Sequence, residues 1–243
     1  MLEVVQTVNP DYVVHLAAIS FVAHGDVDAI YQTNVVGTRN LLQAIVDAGV
    51  APKGVLLASS ANIYGNAPVE VIDETVSASP ANDYAVSKLA MEYVARLYAD
   101  RLPIVLTRPF NYTGVGQAGN FLLPKIVDHF RRRASVIELG NLDVARDFSD
   151  VRMVANCYRL LLETPGTAGG VFNTCSGQAY SLMDVLRMAE SITGHSMEIR
   201  VNPAFVRANE VRVLRGSRAH LEATIGAVAD YSLEETLRWM LEA

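Results

Sequence analysis

The chain has 243 residues, 26 of them acidic and 20 basic, for a net charge of −6, with 51% hydrophobic and 19% charged side chains. At about 100–200 residues per domain this is one large domain, or a domain with a small lobe, long enough to bury a sizeable core. The composition excludes a disordered, collagen-like or disulfide-built chain, and the acidic balance argues against nucleic acid as the main partner.

In chain order, Met1–Val8 reads as the end of an amphipathic helix stopped by Asn9-Pro10, and Tyr12–Ala17 as a short apolar strand. Asp26–Ala48 has helical period and ends at Gly49; Gly54–Ala58 is a second strand. After a loop rich in Pro, Asn and Ser, a helix is expected from about Asn82 to Asp100, capped by Asn82 or Asp83, followed by a strand at Pro103–Thr107. Short apolar strands alternating with helices indicate a parallel, helix-covered sheet. Beyond Arg108-Pro109 the pattern changes. Helices are expected near Asn120–Arg133, Asp150–Glu163 and Ser181–Thr193, strands at Val171–Thr174 and Glu198–Val201, then a long loop and two helices. The expected division is 1–111 with 150–195 as one unit, and 112–149 with 196–243 as an interleaved smaller lobe.

Cys157 and Cys175 form no CxxC pair and read as buried thiols in a reducing compartment. The five histidines show no zinc spacing, so no metal site is expected. No apolar run approaches the ~18 residues of a membrane span and no charged-then-apolar leader is visible, so the expectation is a soluble, cytoplasmic protein without a membrane partner.

Gly114-Val115-Gly116-Gln117-Ala118-Gly119 matches the dinucleotide fingerprint G-x-G-x-x-G. It is set aside because the first glycine must sit at a strand end, whereas Arg108–Thr113 intervene after the expected strand. A stronger signal is Tyr84-Ala85-Val86-Ser87-Lys88, which puts a phenol and an ammonium at i and i+4 on one helix face. The ammonium is expected to stabilise the phenolate and lower the tyrosine pKa, making the pair a proton donor or acceptor at a carbinol or carbonyl carbon. Upstream, the strand ending at Ala58-Ser59-Ser60 delivers Ser60 to the carboxyl edge of the sheet, where open α/β folds bind ligands. Taken singly, the pair could be an exposed helix pair and Ser60 a turn former.

Together these residues resemble the extended short-chain dehydrogenase/reductase family. The resemblance rests on His15-Leu16-Ala17-Ala18, Asn34-Val35-Val36-Gly37-Thr38-Arg39-Asn40-Leu41-Leu42, Ser59-Ser60 with Tyr64-Gly65, Tyr84-x-x-x-Lys88 and Arg108-Pro109-Phe110-Asn111, all in family order. It implies a Rossmann-like doubly wound parallel sheet with a smaller C-terminal substrate-binding lobe, and NADPH or NADH as cofactor. It implies that Ser60 positions a sugar oxygen, that Tyr84 is the general acid/base, and that Lys88 tunes Tyr84 and holds the nicotinamide ribose. His15, Leu16, Ala17, Ala18, Ser59, Pro109 and Asn111 would flank the cofactor, and Asn34 would support the proton relay. Against the family the chain is expected to be N-terminally incomplete, because the opening Gly-rich segment has no counterpart and no glycine precedes Gly25.

Dehydrating members of the family place an acidic residue two positions after the catalytic hydroxyl. Here those positions are Ala61 and Asn62, neither of which exchanges protons near neutral pH. That leaves hydride transfer. Three later stretches, around Lys125, Leu139–Asp147 with Arg146, and Arg207–Val211 with Glu210, resemble the GDP-mannose dehydratase and GDP-4-keto-6-deoxy-mannose reductase branch. By that resemblance Asn111 and Lys125 approach the pyrophosphate or sugar, Arg146 and Arg207 bind phosphates, and Glu210 takes ribose hydroxyls of a GDP-sugar. The implied reaction is NAD(P)H-dependent reduction of the C4 ketone of GDP-4-keto-6-deoxy-mannose to GDP-rhamnose. A nucleotide-sugar epimerase and an inactive truncated module are the alternatives. A homodimer through the Asp26–Ala48 and Asn82–Asp100 helices is also implied.

Overall fold

The computed structural model describes residues 1–20, 25–206, 211–229 and 231–243. Helix α1 (Leu2–Val8) ends where Asn9 turns left-handed at φ 44° and returns its N–H to Val5. Strand β1 (Tyr12–His15) follows. Asp26 caps α2 (Val27–Tyr31), which runs through a π-helical turn at Gln32–Val36 into α3 (Gly37–Asp47). Strand β2 (Gly54–Ala58) leads to Ser60 and a 3-10 turn at Ala61–Tyr64. Helix α4 (Asp83–Arg96) is capped by Asn82, whose side chain accepts the Ala85 N–H. Strand β3 (Ile104–Pro109) is buried throughout.

Then come β4 (Asn111–Thr113), α5 (Leu122–Arg131), β5 (Val136–Leu139), β6 (Ala145–Asp150) and α6 (Val151–Glu163). The chain continues as β7 (Val171–Thr174), β8 (Ala179–Ser181), α7 (Leu182–Thr193) and β9 (Glu198–Val201). It closes with β10 (Val213–Leu214), α8 (Ala219–Ile225) and α9 (Leu233–Glu242).

The main sheet has the order β1-β2-β3-β7, every pair parallel. Period-two alternation decides what each face buries. Val55, Leu57, Ile104 and Leu106 pack under Leu42, Ile45, Met91 and Ala95 of α3 and α4. Leu56 and Val105 point the other way, onto Met153, Cys157 and Leu161 of α6 and Leu221 of α8. Helices on both faces make this the doubly wound α/β sheet that the alternation predicts. Strand β1 forms one margin, with Tyr12 and Val14 41% and 47% exposed.

A second core joins α5, α7 and α9 around Ile126, Phe130, Ile137, Phe148, Val185, Leu186 and Leu237. Beside it lie the sheet β10-β6-β4 with antiparallel β8, and the parallel pair β5-β9. Two elements pack outside the expected division. Helix α7 buries its apolar stripe in the second core, whereas α8 lies on the main sheet against β7. Strands β4, β5, β6, β8 and β10 were not marked by pattern. β6 reads Ala-Arg-Asp-Phe-Ser-Asp, yet its last four residues are buried, because Asp147 accepts from Ser176 N and Oγ, Gly177 N and Gly216 N. Buried charge is tolerated when hydrogen bonds replace water.

The Gly114–Gly119 loop follows β4 directly, so the reason given for setting the motif aside needs correcting. The strand that precedes it is a three-residue strand of the smaller sheet, and α5 begins only at Leu122. The fingerprint requires its third glycine in the helix itself, so the match remains a loop. Among the described residues no helix is long and apolar enough to cross a membrane.

Candidate active site

The carboxyl ends of β1 and β2 converge on the first two turns of α4. Ser60 leaves β2 in extended conformation and opens the 3-10 turn, its hydroxyl oxygen accepting from Asn62 N and Nδ2, both at 3.2 Å. Gly65 closes that turn at φ 56°, where a Cβ would stand 2.0 Å from the Ser79 carbonyl oxygen, so only glycine fits. Tyr84 and Lys88, on one face of α4, are 7% and 4% exposed. The Ser60 hydroxyl lies close enough to the Tyr84 phenol to influence its titration. Lys88 Nζ donates to the carbonyl oxygen of Ala58, two residues before Ser60, at 2.7 Å.

The electrostatics depart from the expectation for Tyr84. Burial pushes its phenol up to about 12, the nearby Ser60 hydroxyl pulls it back in part, and Tyr112 adds to the rise. Desolvation of the phenolate outweighs any help from the ammonium, which is itself desolvated and pushed down to about 8. At neutral pH the pair is therefore a protonated phenol beside a largely protonated amine, the state suited to giving a proton.

His15, at the end of β1, shares a 2.8 Å hydrogen bond between Nε2 and Thr38 Oγ1, and Thr38 donates its proton to the Asn34 carbonyl at 2.8 Å. With that hydroxyl proton used, His15 must carry its proton on Nε2. Burial, reinforced by Lys88, lowers its pKa. Asn34 is not free for a relay. Its Oδ1 accepts Ile19 N–H at 2.8 Å, and its Nδ2 donates to Ile19 O and Ser87 Oγ at 3.1 and 3.0 Å. It pins the loop after β1, which holds Leu16, Ala17 and Ala18, against the reactive face of α4. Thr38 and Ser87 were missed by sequence reasoning, although each stands inside a quoted motif.

Ser59 is buried and its Oγ has no partner; the same holds for Asn111 Nδ2 on β4, just beyond Pro109 at the end of β3. Unpaired buried polar atoms are costly and call for an occupant. With Lys88, whose ammonium carries three donors of which one goes to Ala58, they give ribose, amide or phosphate oxygens something to meet. The donor set fits a nicotinamide nucleotide. Lys88 and Ser59 would hold it, with His15–Ala18 and Pro109 alongside.

The residues assigned to the nucleotide-sugar are more dispersed. Lys125 lies over the Phe205 ring at 4.3 Å and donates to Glu138 O at 2.7 Å. Arg146 Nη1 donates to the carbonyls of Ala145 and Arg212 at 3.0 and 3.3 Å. Both side chains are engaged within the smaller lobe. Arg207 and Glu210 lie outside the described residues.

Residues 1–240 match the family model described as GDP-mannose 4,6 dehydratase. The chain belongs to this family. It is 38% identical over 224 residues to GDP-6-deoxy-D-talose 4-dehydrogenase of Aggregatibacter actinomycetemcomitans, covering 92% of this chain and 76% of the relative. It is 35% identical over 243 residues to GDP-6-deoxy-D-mannose reductase of Pseudomonas aeruginosa, covering 96% and 79%. Among solved structures, RMD from Pseudomonas aeruginosa complexed with NADPH superposes with a TM-score of 0.88 at 33% identity, covering 96% of this chain and 80% of that one. A provisionally assigned epimerase from Burkholderia cenocepacia superposes at 0.93 with 54% identity, covering 99% and 78%. These relatives bear out the Rossmann-like fold and the family expected from the motifs. Within a family named for dehydration, this chain has Ala61 and Asn62 after Ser60, and Asn62 spends its amide on holding the serine hydroxyl.

Proposed function

We propose that this chain is an NAD(P)H-dependent nucleotide-sugar oxidoreductase that reduces the C4 ketone of GDP-4-keto-6-deoxy-mannose to GDP-rhamnose. The observation that carries the reading is the Lys88–Ala58 bond, which seats the turn of α4 bearing Tyr84 and Lys88 on the strand end that delivers Ser60. A reduced nicotinamide supplies the hydride when bound. Tyr84 gives its phenolic proton to the oxygen as charge develops there. Ser60, held by Asn62, donates to the same oxygen and fixes its distance from Tyr84. Lys88 keeps a positive charge beside the departing proton. Elimination of water is disfavoured because neither Ala61 nor Asn62 can act as acid or base.

In this reading the main sheet takes the cofactor through His15–Ala18, Ser59 and Lys88, with Asn34 holding the loop. The smaller lobe, with Asn111, Lys125, Arg146, Arg207 and Glu210, takes the GDP-sugar. The NADPH-bound relative supports NADPH, and NADH is the alternative cofactor. The enzyme acts in the cytoplasm, in keeping with its two buried free thiols. It pairs as a homodimer through α2–α3 and α4, where Tyr93 on α4 and Leu97 just past its end stand 57% and 75% exposed.

The test is a coupled assay that follows reduced nicotinamide and keto-sugar together. One nicotinamide oxidised per sugar consumed supports the reductase. Sugar interconversion without net nicotinamide turnover would make the chain an epimerase, the reading that the Burkholderia structure favours. The relative named as a GDP-6-deoxy-D-talose 4-dehydrogenase favours a second reading of the product, with the opposite configuration at C4. Proton NMR of the isolated product separates the two through the H3–H4 and H4–H5 couplings.

A further inference from the structure

Tyr84 and Lys88 belong to a longer buried row on α4, which continues at i+8 with Glu92, 0% exposed. A carboxylate two helical turns from the phenol, with no water around it, needs a partner. The partner is Arg108 on β3, whose Nε and Nη2 donate to the two Glu92 oxygens at 2.9 and 2.8 Å. Burial alone would depress the guanidinium, but the facing carboxylate outweighs it and holds Arg108 above its ordinary range.

Arg108 does not stop there. Its Nη1 donates to the Tyr64 hydroxyl at 2.9 Å, and Tyr64 donates onward to Asn173 Oδ1 at 2.8 Å. Asn173, on β7, donates its backbone N–H to Glu74 at 2.6 Å and its amide to the Ile72 carbonyl at 3.0 Å. Tyr64 ends the 3-10 turn that Ser60 begins. The chain of bonds therefore joins the helix carrying Tyr84 and Lys88 to the turn that Ser60 opens, through a side chain rooted in β3.

We propose that Glu92, Arg108, Tyr64 and Asn173 form a buried arch that sets the separation of the Tyr84 helix from the Ser60 turn, and so act as positioning residues for proton transfer. The proposal rests on the reading of Ser60, Tyr84 and Lys88 as the reacting site. Hydrophobic packing is too compliant in direction to hold two hydroxyls on one oxygen. The planar guanidinium fork fixes both distance and angle. The pair is neutral as a unit, so it sets geometry at the site without adding net charge.

The test uses Tyr64→Phe, which cuts the arch and keeps every charge, and Arg108→Lys, which keeps the charge and loses the fork. The chain has three lysines. Carbon-13 labelling at lysine Cε gives three signals in the parent and in Tyr64→Phe and four in Arg108→Lys, and Lys88→Met made in each background assigns the Lys88 signal. Tyr84 and Glu92 stand one turn to either side of Lys88 on its own helix, His15 on β1 feels its charge, and none of the three is replaced in these variants. With the arch intact, burial pushes Lys88 down to about 8. In either variant α4 is expected to lift from Ala58, water to enter, and the Lys88 midpoint to move up by at least half a unit. Lys53 should be unaffected. In the same variants kcat for keto-sugar reduction is expected to fall at least tenfold with KM changed less than twofold. A Lys88 midpoint unchanged in both variants, with only a lowered melting temperature, overturns the arch as a positioning device. If the unaltered chain showed no turnover, the reductase reading would fail, and the lysine titration would still decide the arch.

Discussion

The Lys88 ammonium is tied at 2.7 Å to the carbonyl of Ala58, so the helix that carries the proton donor is fastened to the strand that delivers the serine. This bond crosses from one element to another inside a region without bulk water, where a charge-assisted hydrogen bond is worth more than on a surface.

Removing the phenolic hydroxyl tests the role of Tyr84. Tyr84→Phe keeps the ring in its buried place and removes only the hydroxyl, so stability should change by only about 1 kcal/mol. Turnover should fall by roughly 10²–10⁴-fold, the usual worth of a positioned acid, with little effect on KM. Steady-state kinetics with thermal melting checks both, and a variant that retains full turnover contradicts the assignment.

Lys88 predicts two opposite trends with pH. Its folded-state value of about 8 lies below the ordinary 10.5, so between these values the unfolded chain binds the proton that the folded chain has released. Stability attributable to this group therefore rises with pH across that window. Lys88→Met should melt above the parent at pH 7, by a margin on the order of 1–3 kcal/mol, and the margin should close toward pH 10. Activity should move the other way, declining above about 8 as the ammonium is lost, while Tyr84 stays protonated to about 12. Melting curves and initial rates from pH 6 to 10 test the two trends separately.

Asn34 is predicted to act on cofactor affinity through the loop it pins. Asn34→Leu leaves the Ile19 N–H and C=O without their side-chain partner and should cost about 2 kcal/mol of stability. Freed of that anchor, the loop holding Leu16–Ala18 should bind reduced nicotinamide about tenfold more weakly by titration. Unchanged affinity with lowered stability would make Asn34 a purely structural residue.

The smaller lobe carries its own reporter. The guanidinium of Arg152 lies 4.0 Å from the Tyr231 ring and 3.9 Å from the ring of Trp239, the one tryptophan in the chain. It also donates to Asp150, which accepts from Thr236 of α9 as well. Burial would raise the Asp150 carboxyl, but the Arg152 and Thr236 hydrogen bonds outweigh it and hold it below the usual range. A lowered folded-state pKa means stability that is present above the ordinary carboxylate range and lost as pH falls through the folded value. Acid titration should therefore release α9 and shift Trp239 emission to longer wavelength. Asp150→Asn should shift it already at neutral pH.

The main sheet was legible because its strands alternate with helices of clear period, and because Tyr84, Lys88 and Ser60 are chemically distinctive at their spacing. Asn82, not Asp83, proved to be the cap of α4. The lobe was harder. β6 is polar in sequence and buried in fact, since Asp147 and Asp150 exchange water for backbone and side-chain donors distant in the chain. The direction of the Tyr84 pKa could not be read either, because i, i+4 spacing gives proximity to a charge but not the burial that opposes it. Glu92 looks like any solvated helix carboxylate until Arg108 is found against it.

The most direct test is the destination of the hydride. With the nicotinamide deuterated at the transferring position of C4 and GDP-4-keto-6-deoxy-mannose as acceptor, the product should carry one deuterium at sugar C4. Tyr84→Phe should slow that labelling in proportion to its loss of turnover. Product formed without deuterium at C4 would contradict reduction by this site.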